Sequence, residues 1–166
     1  MNIIFLDIDG VMTSTLETPG SYINHENDEY GVSPTCFKLL TDLCKRTSSK
    51  IIISSNWRRF EYEGKAGFWL NPVTLKYVKN PLKPFIDNLG DLYIESLPKI
   101  RHVTKSVALK EWFNNTNIKV NNYVIFDDDI KEQFQESEFK DHFILTDYIC
   151  GLTEDNCNAA YKILTK

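Results

Sequence analysis

Met1-Asn2-Ile3-Ile4-Phe5-Leu6-Asp7-Ile8-Asp9-Gly10-Val11-Met12 opens the chain, an apolar run that delivers two carboxylates and then a glycine. A short apolar run closed by a turn signal reads as a core strand of a parallel sheet. Asp7 and Asp9 then stand at its carboxyl end, where open α/β sheets bind their ligands. Two carboxylates held close together repel and raise each other's pKa, so a fold that keeps them there supplies a cation or uses one of them as an acid.

Working outward, strand-like runs cover residues 3–8, 50–53, 92–94, 123–126 and 142–145, with helical patterns between most of them. Ser33-Pro34 is a helix start, serine as N-cap and proline in the first turn, and Phe37, Leu40, Leu43 and Cys44 follow on one face. A second helix is predicted over about 105–113, and a third after Thr153, which caps it with Glu154 and Asp155 in its first turn. Right-handed crossovers make such a sheet parallel and bring every strand's carboxyl end to one rim. The expected fold is therefore α/β, a Rossmann-like parallel five-stranded sheet with helices on both faces. All 166 residues form one domain in this reading, with a flap-like segment at about 12–32 and an irregular insertion at about 60–100.

Four features end or follow the predicted strands: Asp7-x-Asp9-Gly10, then Ser54-Ser55-Asn56, then Lys105 at a helix start, then Asp127-Asp128-Asp129. Phosphoryl transfer explains why these types belong together. A carboxylate attacks phosphorus once its repulsion from the phosphate is suppressed, and a hard divalent cation held by oxygen ligands does that. A hydroxyl such as that of Ser54 donates to a phosphoryl oxygen, Lys105 neutralises charge in the transition state, and Asp9 moves a proton. The reading requires the N-terminal strand and the strand reaching Phe126 to lie side by side, so that their terminal acids share one ion.

These motifs resemble those of the haloacid dehalogenase (HAD) superfamily, in the superfamily's order: Phe5-Leu6-Asp7-Ile8-Asp9-Gly10-Val11, Ile51-Ile52-Ile53-Ser54-Ser55, Lys105, and Val124-Ile125-Phe126-Asp127-Asp128-Asp129. The resemblance implies that Asp7 is the nucleophile that becomes a phosphoaspartate and Asp9 the general acid and base. It implies Mg²⁺ held by Asp7, by Asp9 through its carbonyl, and by an acid of the last motif, Asp128 being favoured with Asp127 beside it. A second aspartate two positions on is the mark of phosphatase members, and so points to hydrolysis of a phosphomonoester. The intervals between motifs leave no room for a large cap domain.

A narrower resemblance lies in Ser54-Ser55-Asn56-Trp57-Arg58, the acidic triplet, and Thr146-Asp147 followed by Gly151-Leu152-Thr153. These look like the phosphatase-like domains found alone or within multi-domain RNA repair proteins. The likeness implies that Arg58 borders the phosphate, with Gly10, Ser55 and Asn56 also on the substrate side, and that a nucleotide or nucleic-acid end is a reasonable substrate. The alternative is a non-catalytic phosphate- or nucleotide-binding module, either a receiver or a silent relative. A receiver fits poorly, because its lysine follows the last of the site strands, whereas here an acidic strand follows Lys105.

Bulk properties narrow the classes. A hydrophobic fraction of 42% excludes a disordered chain, and no apolar run reaches membrane length. No export signal is read at the N-terminus, so a cytoplasmic, membrane-free protein is expected. Cys36, Cys44, Cys150 and Cys157 form no Cys-x-x-Cys pair and read as reduced, mostly buried thiols. The net charge of -4 argues against sequence-blind attachment to nucleic acid. Residues 57–110 nevertheless carry ten basic side chains against five acidic. Composition favours a solvated face there over a positive rim for phosphorylated substrates. His25, His102 and His142 are assigned no chemistry. Phe68, Trp69 and Tyr77 could stack a base but read first as a local core.

Overall fold

Five strands build a single parallel sheet: β1 (Asn2–Leu6), β4 (Ser49–Ile53), β7 (Tyr93–Ser96), β8 (Tyr123–Asp127) and β9 (Phe143–Leu145). The computed structural model describes residues 1–14, 16, 32–58, 82–98, 103–129, 134–135 and 137–166, and the backbone of 24–25, 28–29, 68–70 and 77–79. The spatial order is β7-β4-β1-β8-β9, so the chain runs outward from β1 to one edge and then returns to fill the other side. Such reversals create the switch point at which open α/β sheets hold ligands, and here it falls between β1 and β8. Those two strands pair in register from Ile3↔Tyr123 to Leu6↔Phe126, as the sequence reading requires.

Alternation along the strands explains why both faces are covered. Ile4, Leu6, Ile51, Ile53, Val124 and Phe126 point into one core, and Ile3, Phe5, Ile52 and Ile125 into the other. The first core packs under α1 (Pro34–Thr47), α2 (Leu82–Leu89) and α4 (Glu154–Leu164). The second packs under α3 (Lys105–Asn115) through Leu109 and Trp112, with Phe134 and Phe139. Strands buried on both faces must be apolar at nearly every position, and Ile3–Leu6 of β1 and Ile51–Ile53 of β4 are.

The helix starts follow local chemistry. Ser33 Oγ accepts from Cys36 N–H at 3.0 Å, and Thr153 forms a reciprocal capping box with Asn156. Cys36, Cys44 and Cys157 are buried, Cys150 is exposed, and all four are free thiols.

The structure departs from the sequence reading within 60–100. Residues Leu82–Leu89 form a helix where an irregular insertion is expected. Pro84 sits in its first turn, where no amide hydrogen is needed, and Leu82, Phe85 and Leu89 are buried. Gly90, with φ +53°, ends it, and Leu92 closes a 3-10 turn instead of opening the strand. Phe68–Leu70 (β5) and Tyr77–Lys79 (β6) pair antiparallel, so any base stacking by Phe68, Trp69 and Tyr77 lies outside the described side chains. In the segment expected as a flap, Asn24–His25 (β2) and Asp28–Glu29 (β3) pair antiparallel. His102 and the side chain of His25 lie outside what is described. Among those described, no helix is long and apolar enough to cross a membrane.

Candidate functional site

The backbone ladder continues one residue past each central strand and so fixes what stands on the rim. Asp7 N–H donates to Phe126 C=O at 3.0 Å and Ser54 N–H to Leu6 C=O at 2.8 Å. Asp7, Ser54 and Asp127 therefore stand side by side at three adjacent strand ends. Lys105 opens α3 behind Thr104, whose hydroxyl faces Val107 N–H at 3.5 Å. Its ammonium donates to Asp7 Oδ2 at 2.6 Å and to Asp127 Oδ2 at 2.8 Å, all three side chains being almost wholly buried.

A cleft of about 250 Å³ opens over this pair, lined by Asp7, Asp9, Asn56, Lys105, Asp128 and Asp129. Carboxylate oxygens of Asp7, Asp127 and Asp128 come within 4.8 Å of one another. The second oxygen of each of two acids is already engaged: Asp7 Oδ1 accepts from Ile8 N–H at 2.8 Å, and Asp127 Oδ1 from Asp129 N–H at 3.0 Å. Both oxygens of Asp7 and both of Asp127 are thus engaged inside the protein, but Asp7 and Asp128 line the cleft and Asp127 does not. That geometry favours Asp128 over Asp127 as the direct ligand of a cation. An all-oxygen donor set with one lysine among several carboxylates fits a hard divalent ion such as Mg²⁺.

Gly10 makes the room for Asp128. Its φ is +67°, and a Cβ there would stand 2.3 Å from Asp128 Oδ2. Its carbonyl accepts from Thr146 Oγ1 at 2.9 Å and its amide donates to Thr13 Oγ1 at 2.9 Å. Leu152 N–H reaches Val11 C=O at 2.7 Å, so the Thr146-Asp147 and Gly151-Leu152 segment buttresses the first loop. The segment's residues stand out in the sequence, but this task is a contact across the fold that no local spacing encodes.

Burial, then the nearby Asp7 carboxylate, raise the Asp9 carboxyl to about 6, against the opposing pull of the Trp57 indole N–H, which donates to Asp9 Oδ2 at 2.8 Å. Burial and Asp7 likewise raise Asp127 and Asp128. Burial alone would lower Lys105, but Asp7 and Asp127 outweigh it and hold the ammonium above its ordinary value. The lysine therefore stays charged, while Asp9 is poised to carry a proton near neutrality.

Ser54 is 1% exposed, and its hydroxyl has no hydrogen-bond partner among the described residues. A buried hydroxyl left so costs about 1–3 kcal/mol, which a ligand oxygen would recover. Asn56 is exposed on the cleft. Ser55 is buried with its Oγ accepting from Trp57 N–H at 3.2 Å, and so serves the turn. Arg58 is 5% exposed and donates through Nη1 to the carbonyls of Ser54 and Ser55. The 3-10 turn over Asn56–Arg58 folds it back onto the strand end, and of this stretch Asn56 lines the cleft while Ser54, Ser55 and Arg58 lie behind it. Trp57 is the residue of this stretch whose place at the site the motif spacing does not announce. A large amphipathic ring in a polar post-strand loop was the available signal.

No curated protein and no solved structure matches the chain. A family model described as the HAD domain in Swiss Army Knife RNA repair proteins matches residues 3–157, from the first strand into the last helix. With that span covering nearly the whole fold, the chain belongs to the family of HAD domains of Swiss Army Knife RNA repair proteins.

Proposed function

We propose that this phosphatase-type domain hydrolyses phosphomonoesters through an aspartyl-phosphate on Asp7, with a nucleotide or a nucleic-acid end as the substrate class. One observation carries the reading. Two acids on one short loop have unlike surroundings, Asp7 clamped by Lys105 and Asp9 capped by an indole with its carboxyl near 6. Unlike environments are how a site divides the nucleophile's role from the acid's.

In the first step Asp7 Oδ attacks phosphorus and the bond to the leaving oxygen breaks. That oxygen keeps the electron pair and takes the proton of Asp9. In the second, Asp9 accepts a proton from water as its oxygen attacks phosphorus, and the bond to Asp7 breaks to restore the carboxylate and release phosphate. Lys105 stands at the attacking carboxylate and offsets charge on the phosphoryl oxygens. The Ser54 hydroxyl, which has no partner among the described residues, donates to one of them. Asp7 and Asp128, with Asp127 beside them and the Asp9 carbonyl, would hold Mg²⁺, which supplies the positive charge that lets an anionic nucleophile meet an anionic substrate.

The test is phosphate release from 4-nitrophenyl phosphate, nucleotides, 5′- and 3′-phosphorylated oligonucleotides and sugar phosphates. Release is expected with Mg²⁺, absent under chelation, and lowered by more than roughly 10³-fold in Asp7→Asn. Turnover that survives Asp7→Asn sinks the mechanism. Stable labelling of Asp7 without turnover favours the signalling module, and a preference for sugar phosphates removes the nucleic-acid reading.

A further inference from the structure

The indole of Trp57 takes no part in the steps above, yet it touches the acid that does. Trp57 Nε1 donates to Asp9 Oδ2 at 2.8 Å, and the ring is 4% exposed in the core that also holds Leu6 and Ile53. The turn that carries it is pinned twice. Ser55 Oγ accepts the Trp57 amide, and the Arg58 guanidinium holds the carbonyls of Ser54 and Ser55. The donor is therefore fixed by packing on one side and by backbone on the other. Asp9 by contrast is only partly buried, one residue before Gly10 with its left-handed backbone.

A protonated carboxyl has one hydroxyl oxygen and one carbonyl oxygen, and the carbonyl oxygen is the better acceptor. A rigid N–H on Oδ2 makes that atom the carbonyl and leaves the proton on Oδ1. We propose that Trp57 is a positioning residue that locks the Asp9 rotamer and directs its proton to Oδ1, the oxygen that serves the leaving group. This rests on the phosphatase reading above. In the first half-reaction the Oδ1–H bond breaks as the leaving oxygen departs with its electron pair and takes the proton. In the second, Oδ1 receives the proton of the attacking water. Phe at this position keeps the buried ring and removes the donor.

Leaving groups separate this role from simple packing. An alkoxide cannot depart without a proton, whereas 4-nitrophenolate leaves nearly unaided. Trp57→Phe is expected to lower kcat roughly 10- to 100-fold on an alkyl phosphate and less than about threefold on 4-nitrophenyl phosphate, with KM moved less than about twofold. Replacing Trp57 by 3-benzothienylalanine, which keeps the bicyclic shape and puts sulfur where the N–H was, is expected to reproduce that pattern. In the metal-free protein, the indole N–H resonance that Trp57→Phe removes is expected to move in Asp9→Ala, while those of Trp69 and Trp112 stay. Equal losses on both phosphates, a loss confined to KM, a benzothienyl variant that behaves as wild type, or an unmoved resonance each overturn the proposal alone. A wild-type protein that turns over neither phosphate overturns the phosphatase reading and the proposal with it.

Discussion

Asp9 sits partly buried against Asp7 and Asp128 with its carboxyl raised from 3.8 to about 6, and that has a cost in the folded protein. Between those values the folded state keeps a proton that the unfolded chain has released. Stability therefore falls as pH rises through the window, and the whole deficit is present above about 6. Asn at this position keeps an oxygen for the Trp57 N–H and cannot ionise. In chelator, Asp9→Asn is expected to be more stable than wild type by about 2–3 kcal/mol at pH 8 and equal to it near pH 3.5. Urea unfolding at the two pH values measures this, and a difference that does not change with pH rejects it. At this scale the sequence marked Asp7, Asp9 and Asp128 after strands and Lys105 at a helix start, and the structure brings these four to one cleft. The sequence did not reveal where Arg58 points. The direction of that side chain is set by a 3-10 turn and by two carbonyls, which no spacing encodes.

Among elements, the loop after β1 and the loop after β8 are built as one piece, and Gly10 is their contact. The left-handed backbone at Gly10 costs an L-residue about 1–2 kcal/mol, and an added Cβ would collide with Asp128. Asp128 must then leave the place from which it faces Asp7. Gly10→Ala is expected to fold, to lose about 1–2 kcal/mol in urea unfolding, and to lose phosphate release by more than roughly tenfold. Wild-type turnover in a variant destabilised by that amount would show that Asp128 need not stand where it does. Helix starts were legible because capping is local, as at Ser33 and Thr153. Helix α2 was not: Pro81 and Pro84 flank and enter its first turn and read as loop, although Leu82, Phe85 and Leu89 carry the helical spacing and Gly90 the stop signal. The β1 and β8 strands were easy to read because burial on both faces leaves only apolar residues before the acids.

Across the whole molecule, the order β7-β4-β1-β8-β9 gathers Asp7, Ser54 and Asp128 from segments far apart in sequence. Strand identity was legible where an apolar run marks the strand, as in β1, β8 and the Ile51–Ile53 end of β4; this order rests on handedness and crossover rules rather than on any residue. Four basic side chains of the 57–110 stretch are among the described residues. Arg58 and Lys105 are buried in the site's frame, while exposed Lys83 and Lys110 pair with Asp87 and Glu138. Those two surface pairs fit a solvated face, and such pairs contribute little. The acids on the rim bear on the entire fold instead, since a cation held between the β1 and β8 ends would tie two elements that must separate on unfolding. Binding to the native state alone stabilises by about 2.7 kcal/mol at a hundredfold excess over Kd, or about 5–10 °C in Tm for a chain of this size. Mg²⁺ is expected to raise the wild-type Tm by that amount and to shift Asp128→Asn by less than about a third as much at the same concentration. Asp128→Asn keeps the side-chain volume beside Gly10, so its own metal-free Tm serves as the control for damage to the loop. Equal shifts in the two proteins would mean that the ion binds elsewhere, and the pairing of β1 with β8 would then owe nothing to it.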